Sequence, residues 1–146
     1  MAVAQEVETM ADKVRRADYF YFEVQDKPGE GFRVLGKLAD AGVLLLSFTA
    51  FPVGGGMAQI TVVPEKPDLF LTAAKNAGLT HSGRKQCFLV QGDDRVGAAR
   101  DVFNRLAEAN VNCVASTGVS ASGGTYGLVL FVKQADLAAA AKALGV

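Results

Sequence analysis

Residues 26–32 of the chain read Asp-Lys-Pro-Gly-Glu-Gly-Phe, and this stretch joins a strand pattern to a helix pattern. The preceding residues 19–24 are aromatic-rich with no helical period, which predicts a strand. Pro28 has its backbone angle preset for a first helical turn. From Phe32 apolar residues recur at helical spacing, and Gly42 predicts the end of that helix. The sequence therefore predicts a strand, a tight turn and a helix in immediate succession.

The same pattern recurs 68 residues later, and the chain aligns with itself at that shift without a gap. The matched pairs include Asp26 with Asp94, Gly29 with Gly97, Leu38 with Leu106, Thr49 with Thr117, and Gly55 with Gly123. Internal repetition at a fixed period is the signature of a duplicated structural unit. We therefore predict two modules, at residues 19–85 and 86–146, preceded by an N-terminal helical extension at residues 1–18.

Each module is predicted to follow the order β-α-β-β-α-β. The elements after the first predicted helix are strands at 43–51 and 57–63, a helix at 68–77 with Asp68 as its N-cap, and a weak fourth strand at 79–85. This order is typical of an α+β, ferredoxin-like arrangement, an antiparallel sheet with its helices on one face. The second module ends after its second helix, so it lacks the last strand. We expect that open edge to be covered by the other module, the N-terminal segment or a second chain.

Before the first module, residues 5–17 have apolar side chains at helical spacing, which predicts a short amphipathic helix. We expect this helix to pack on the main body, with a partner-binding arm as the alternative. Asp26 is expected to cap the first helix of the repeat by accepting hydrogen bonds from its free N–H groups.

The composition excludes several classes of function. Lys and Arg together number 15, as do Asp and Glu, and this balance argues against nucleic-acid or anionic-membrane binding. Acidic and basic residues interrupt the N-terminus, which predicts no leader or membrane span and a cytoplasmic location. Cys87 and Cys113 lie in apolar runs, and His81 is the only histidine. These residues form no metal-ligand set and no Cys-His catalytic pair, so we expect no metal, no cofactor and no enzymatic activity.

The two motifs resemble the ACT domain, in which Asp-x-Pro-Gly precedes a helix that ends in Gly-Val. The first copy matches at Asp26 to Gly29 and at Ala41 to Val43, and the second at residues 94–98 and 109–112. The resemblance covers residues 19–146 and implies two ACT modules with no catalytic domain attached.

The resemblance also implies a function. In that family modules pair side by side, and effectors, most often amino acids, bind at the interface between modules. The turn offers backbone N–H groups to the ligand carboxylate, as expected for a helix N-terminus. Carried over, the family's site residues are Asp94, Val96, Gly97, Ala98 and Asn112 in the second copy and Asp26, Gly29, Glu30 and Gly31 in the first. The first copy has Leu44 at the position of Asn112, so we expect the second site to matter more for the ligand.

We therefore predict a non-catalytic regulatory protein that binds an amino acid or similar small carboxylate, forms a homodimer and acts on a partner enzyme. The alternative is a dimerisation or protein-interaction module with no small-molecule ligand, which the apolar runs 44–46 and 128–131 favour. At any single turn residue, helix capping without a ligand is the competing explanation. A small ferredoxin-like enzyme is a third class, but Asp26, Glu30, Asp93 and Asp94 are read better as cap and surface charges.

Overall fold

The structure, a computed structural model, describes residues 12–146. The chain folds into two compact units. The first unit spans residues 17–87. The second unit spans residues 88–146 and includes the segment that ends at Arg16. Within residues 12–146 the chain forms six β-strands and four α-helices, and the pairs β1–β3, β2–β3, β4–β6 and β5–β6 are antiparallel. The predicted α+β class is therefore confirmed, whereas the predicted module boundaries at 19–85 and 86–146 stay a prediction.

In chain order the elements are β1 (Lys13–Gln25), α1 (Glu30–Asp40), β2 (Leu45–Gly54), β3 (Met57–Pro64), α2 (Pro67–Asn76), β4 (Lys85–Asp93), α3 (Ala98–Glu108), β5 (Cys113–Ala121), β6 (Thr125–Val132) and α4 (Leu137–Leu144). A short 3₁₀ helix, Gln134–Asp136, precedes α4.

In the first unit, three strands lie in the order β2-β3-β1 and carry α1 and α2 on one face. Alternate residues of β1 and β3 point to that face because side chains alternate along a strand. The core comprises Phe20, Phe22, Val24, Val34, Leu38, Val43, Ile60, Val62, Phe70, Ala73 and Ala74. Phe20 and Phe70 stack at its centre, with ring centroids 4.3 Å apart.

The second unit repeats this plan with β5-β6-β4, α3 and α4. Its core comprises Phe88, Val90, Ala98, Val102, Leu106, Val111, Tyr126, Leu128, Leu130, Val132, Ala140, Ala141 and Leu144. One irregularity also repeats, since the β2–β3 register shifts between Leu45 and Ser47 and the β5–β6 register shifts between Cys113 and Ala115; a further shift between Pro52 and Gly54 occurs in the first copy alone. The 68-residue repeat is therefore visible in backbone geometry as well as in sequence.

The N-terminal helix predicted over residues 5–17 is wrong for residues 13–17, which belong to strand β1. Residues 5–11 of that prediction lie outside the described residues. Val14 packs against the core of the second unit, and the Arg16 guanidinium donates to the Val146 carbonyl at 3.5 Å. Tertiary contact thus overrides a short local helical period. Of the three candidates for covering the open edge, this N-terminal segment is the one that joins the second unit.

The weak fourth strand predicted at residues 79–85 is also wrong, because residues 79–84 are irregular and β4 begins at Lys85. Ser82 explains the interruption. Its N–H donates to the Tyr21 carbonyl at 2.8 Å, but the Tyr21 N–H donates to the Ser82 hydroxyl oxygen at 2.9 Å. A side-chain oxygen replaces the backbone carbonyl, so no regular ladder continues.

His81 lies in this irregular stretch. Its ring meets those of Phe20, Phe22 and Phe70 edge-on, with centroids 5.3 to 6.2 Å away. It acts as part of the aromatic packing of the first unit.

Asp68 does not cap α2. Lys66 holds the N-cap position, Pro67 begins the helix, and no side chain caps it. The Asp68 carboxylate instead accepts a hydrogen bond from Arg84 at 2.8 Å. A proline at the first helical position already removes one of the N–H groups that a cap would satisfy.

Candidate functional site

The two strand-to-helix turns have the same backbone geometry. Gly29 and Gly97 hold the N-cap positions of α1 and α3 in the left-handed conformation, at φ 92° and 86°. In each turn the backbone N–H of the aspartate donates a hydrogen bond of 2.8 Å to the carbonyl of a hairpin glycine. Asp26 donates to Gly56 in the first copy, and Asp94 donates to Gly124 in the second. Glycine is the residue that adopts this conformation without steric cost. The turns are therefore set by their glycines.

Neither helix has a side-chain cap, so the expectation that Asp26 caps α1 is wrong. The left-handed glycine turns the chain before a side chain two or three residues upstream reaches the helix end. Each turn closes through one backbone bond, from Glu30 N–H to the Lys27 carbonyl and from Ala98 N–H to the Arg95 carbonyl. The next backbone N–H groups at the start of each helix have no acceptor within the helix, and they carry the positive end of the helix dipole.

At the first turn, Glu30 is engaged with its own helix. Its carboxylate accepts hydrogen bonds from the Arg33 guanidinium at 2.9 and 3.4 Å. These hydrogen bonds hold the pKa of Glu30 below its ordinary value. Phe32 beside it is exposed. The negative charge of Glu30 already sits where an anion would meet the N-terminus of α1.

The second turn opens onto a cleft of about 280 Å³ between the N-terminus of α3 and the β5–β6 hairpin. Its lining combines helix N-terminal backbone, two arginines and a polar strand end. The lining residues are Asp94, Arg95, Gly97, Ala98, Ala99, Arg100, Gly118, Val119, Ser120, Tyr126 and Leu128. The volume is at the lower end for ligand pockets, which suits a small molecule.

Opposite charges flank the cleft. The Ser120 hydroxyl donates to the Asp94 carboxylate at 2.9 Å, which fixes that carboxylate at the strand end. Arg100 lines the cleft and has no ion-pair partner among residues 12–146. A fixed carboxylate, an uncommitted guanidinium and uncapped N–H groups together match the two charges of a zwitterion.

Arg95 also lines the cleft but is fully engaged. It grips the Asp12 carboxylate with both terminal nitrogens, Nη1 to Oδ1 at 3.1 Å and Nη2 to Oδ2 at 3.2 Å. These hydrogen bonds hold the pKa of Asp12 below its ordinary value and raise the pKa of Arg95. The pair is thus ionised across the physiological range.

Tyr126 lies on the inner wall of the cleft. Its hydroxyl is buried and meets no described group in good hydrogen-bond geometry. It nevertheless lies close enough to the Asp12 carboxylate for the two groups to affect each other's ionisation. Burial, with a smaller contribution from Asp12, raises the pKa of Tyr126 to about 12.

Comparison with solved structures gives the same fold in other proteins. A protein from Bacteroides thetaiotaomicron is similar at a TM-score of 0.76 and 15% identity, over 90% of this chain and 88% of that one. The regulatory subunit of aspartate kinase from Thermus thermophilus, in its ligand-free form, is similar at a TM-score of 0.64 and 15% identity, over 94% and 96% of the two chains. The corresponding subunit from Thermus flavus gives 0.61 and 17%, over the same shares. No protein-family model and no curated protein matches the chain. The fold is therefore shared with regulatory subunits.

The structure brings three of the predicted second-copy residues together, since Asp94, Gly97 and Ala98 all line the cleft. Val96 is 106% exposed and is not part of the lining. Asn112 is exposed beyond the far end of α3, and a helix of 11 residues is about 16 Å long. Asn112 therefore lies apart from the turn that it was predicted to serve.

The predicted first-copy residues stay together at their turn: Asp26, Gly29, Glu30 and Gly31 are consecutive around the start of α1. The hairpin facing that turn differs from its counterpart. Phe51 and Pro52 stand at the repeat positions of Val119 and Ser120. The first copy therefore lacks the hydroxyl that fixes Asp94 in the second.

Sequence reasoning missed Arg95, Ser120 and Tyr126 in the lining of the cleft, and Asp12, which pairs with Arg95. A usable signal was present, because Tyr126 falls at the repeat position of Ala58 and is the bulkiest departure from the repeat near the turn. Asp12 gave no signal, since it lies 83 residues from Arg95 in sequence.

Other classes of site find no support in residues 12–146. No group of His, Cys, Asp or Glu there is placed to hold a metal ion. No helix in that range is long and apolar enough to cross a membrane. Cys87 and Cys113 form no disulfide, and the first is buried while the second is half-buried.

Proposed function

We propose that the chain is a non-catalytic regulatory protein of two ACT-like modules, and that it binds an amino acid or similar small carboxylate in the cleft at the second turn. One observation carries the proposal: an uncapped helix N-terminus, Arg100 and the fixed carboxylate of Asp94 all line the same cleft of about 280 Å³. The ligand carboxylate would face the N–H groups of α3 and Arg100. The ligand ammonium group would face Asp94.

The proposal favours the second turn over the first. Glu30 places a carboxylate at the start of α1, where Ala98 stands in α3. A second carboxylate brought there would meet like-charge repulsion. Val96 and Asn112 stay as separate proposed contacts outside the cleft, which Asn112→Ala would test against the turn variants.

Calorimetric titration with each of the twenty amino acids tests the proposal. A ligand present at about 100 times its Kd should stabilise the folded chain by roughly 2.7 kcal/mol. The variant Gly97→Val should abolish binding, because a branched side chain at this left-handed position narrows the turn and distorts it. Gly29→Val is the matched control and should leave binding intact. No response to any amino acid at millimolar concentration would refute the proposal.

A dimerisation module without a ligand is the second candidate, and strand β2 favours it. β2 ends the strand order of the first unit, and its exposed hydrophobic residues are Leu46, Phe48, Phe51 and Val53. An exposed apolar edge strand is a common site of association. Sedimentation of Phe48→Lys against the native chain tests it: this candidate requires a dimer that dissociates on substitution and that no amino acid affects.

A further inference from the structure

Asp12 forms an ion pair with Arg95 in the second unit. Its side chain is only 11% exposed, and its two oxygens pair with the two terminal nitrogens of Arg95. This two-point geometry is the one that arginine uses to recognise a carboxylate of any origin. The carboxylate that pairs with Arg95 is therefore a side chain of the protein itself, Asp12.

Arg95 has little left to offer a ligand. Besides Asp12, Nη1 donates to the Asp93 carbonyl at 3.3 Å and Nη2 donates to the Asp101 carboxylate at 3.4 Å. The four terminal N–H groups of a guanidinium are then all used. A ligand carboxylate can reach the fork of Arg95 only by replacing Asp12.

The residues around the Asp12 carboxylate differ from those at the matching positions of the first copy. Three departures from the repeat converge on this carboxylate: Gly92 replaces Val24, Arg95 replaces Lys27 and Tyr126 replaces Ala58. A Cβ at Gly92 would collide with the Asp12 Oδ1 atom, so only glycine leaves room for the carboxylate. Arg95 supplies the fork, and Tyr126 supplies a buried hydroxyl nearby. The first copy forms the same strands and helix without these residues, although Tyr126 also contributes to the core of the second unit.

We propose that Asp12 is a built-in competitor, an internal carboxylate that holds Arg95 until a ligand carboxylate displaces it. The inference rests on the proposed function for the identity of the ligand: its carboxylate, placed there against the N–H groups of α3 and Arg100, would also gain Arg95, which lines the same cleft, once Asp12 leaves. Displacement would release Asp12 from Arg95 and so make binding visible outside the cleft. The apparent affinity would equal the intrinsic affinity reduced by the fraction of molecules in which Arg95 is free.

The opposite role for Asp12 is a brace that holds Arg95 ready for a ligand. The two roles predict opposite signs for one substitution. Asp12→Asn keeps the shape of the side chain but removes its charge, so competition predicts tighter carboxylate binding and bracing predicts weaker binding. If Asp12 holds Arg95 in about nine molecules of ten, removing it should tighten binding roughly tenfold, or about 1.4 kcal/mol.

Sodium acetate is the probe, because it carries the carboxylate alone. Titrations of native chain, Asp12→Asn and Gly92→Ala are followed by NMR through the amide signals of Ala99 and Arg100. Both variants should bind acetate roughly tenfold more tightly than the native chain. Asp18→Asn is the matched control, since it breaks a similar ion pair, with Arg84 at 3.2 Å, and should change nothing. Equal or weaker binding by folded Asp12→Asn would overturn the inference.

The same series run with an amino acid that binds separates the two proposals. If Asp12→Asn binds acetate more tightly than the native chain does, but none of the twenty amino acids binds the native chain, the competitor role is supported and the amino-acid ligand is refuted. An amino acid that binds the native chain and Asp12→Asn equally would refute the competitor and leave the proposed function standing.

Discussion

Replacing Gly97 by alanine tests the turn geometry on which the site depends. Gly97 has φ of 86°, and a Cβ built there meets no atom within 4 Å, so the substitution strains the backbone without a clash. A left-handed alanine costs about 1–2 kcal/mol, and the stiffer unfolded chain offsets roughly 0.4–1 kcal/mol. We expect a net loss in the free energy of unfolding of about 1 kcal/mol.

Gly29→Ala is the internal replicate, since Gly29 has φ of 92° and equally open surroundings. The two losses should agree, and they should add to about 2 kcal/mol in the double variant because distant sites act independently. Urea denaturation measures them, with a midpoint shift of about 0.5 M for each single change. Losses below about 0.3 kcal/mol at both positions would show that the left-handed turns do not exist in solution.

Three further predictions concern the core and the Asp12 cluster. Leu38→Ala and Leu106→Ala, both at 1% exposure, should each lower the free energy of unfolding by about 2–5 kcal/mol in urea denaturation; a loss below 1 kcal/mol at either would contradict its burial. The depressed pKa of Asp12 means that its stabilisation is present above the unfolded-state pKa and is lost as the pH falls through the lower folded value. The native chain should therefore exceed Asp12→Asn in stability at pH 7 and lose that advantage in acid. Tyr126 should ionise at about pH 12, so its stabilising contribution fades as the pH rises from about 10 to that value. Ultraviolet titration of Tyr126→Phe should lack that step, and an unchanged titration curve would count against its burial.

Periodicity predicted the body of the fold well. The helices after both turns, the glycine hairpins and the strands around them stand within a few residues of the sequence-based limits. These elements depend on spacing between near neighbours, and the repeat supplied each prediction twice. Gly42 follows the end of α1, as predicted, and has a left-handed conformation at φ 75°.

The two errors in secondary structure share a cause, which is contact between residues distant in sequence. Residues 13–17 have a local helical period, but they extend a strand whose Val14 packs on the second core. Ser82 breaks a predicted strand through bonds to Tyr21, 61 residues earlier. The caps expected at Asp26 and Asp68 failed for a local reason instead, because a left-handed glycine and a proline begin those helices without a side chain.

The candidate site divides in the same way. Asp94, Gly97 and Ala98 were predicted because the motif itself marks a helix N-terminus, where anions bind. Arg95, Ser120 and Tyr126 come from three elements that only the folded chain brings to one cleft. Asn112 was carried over from the family motif alone, and the length of α3 separates it from the turn.

The first unit is inserted between two parts of the second, and this nesting constrains how the protein can be made. Residues 12–16 leave the ribosome before the first unit does, yet the rest of their own unit begins at Phe88 and extends to Val146. The first unit can fold during synthesis, while the segment before it must wait for the rest of the chain. A cut at the boundary of the sequence repeat would therefore leave residues 13–16, the start of β1, on the half that lacks the rest of their unit.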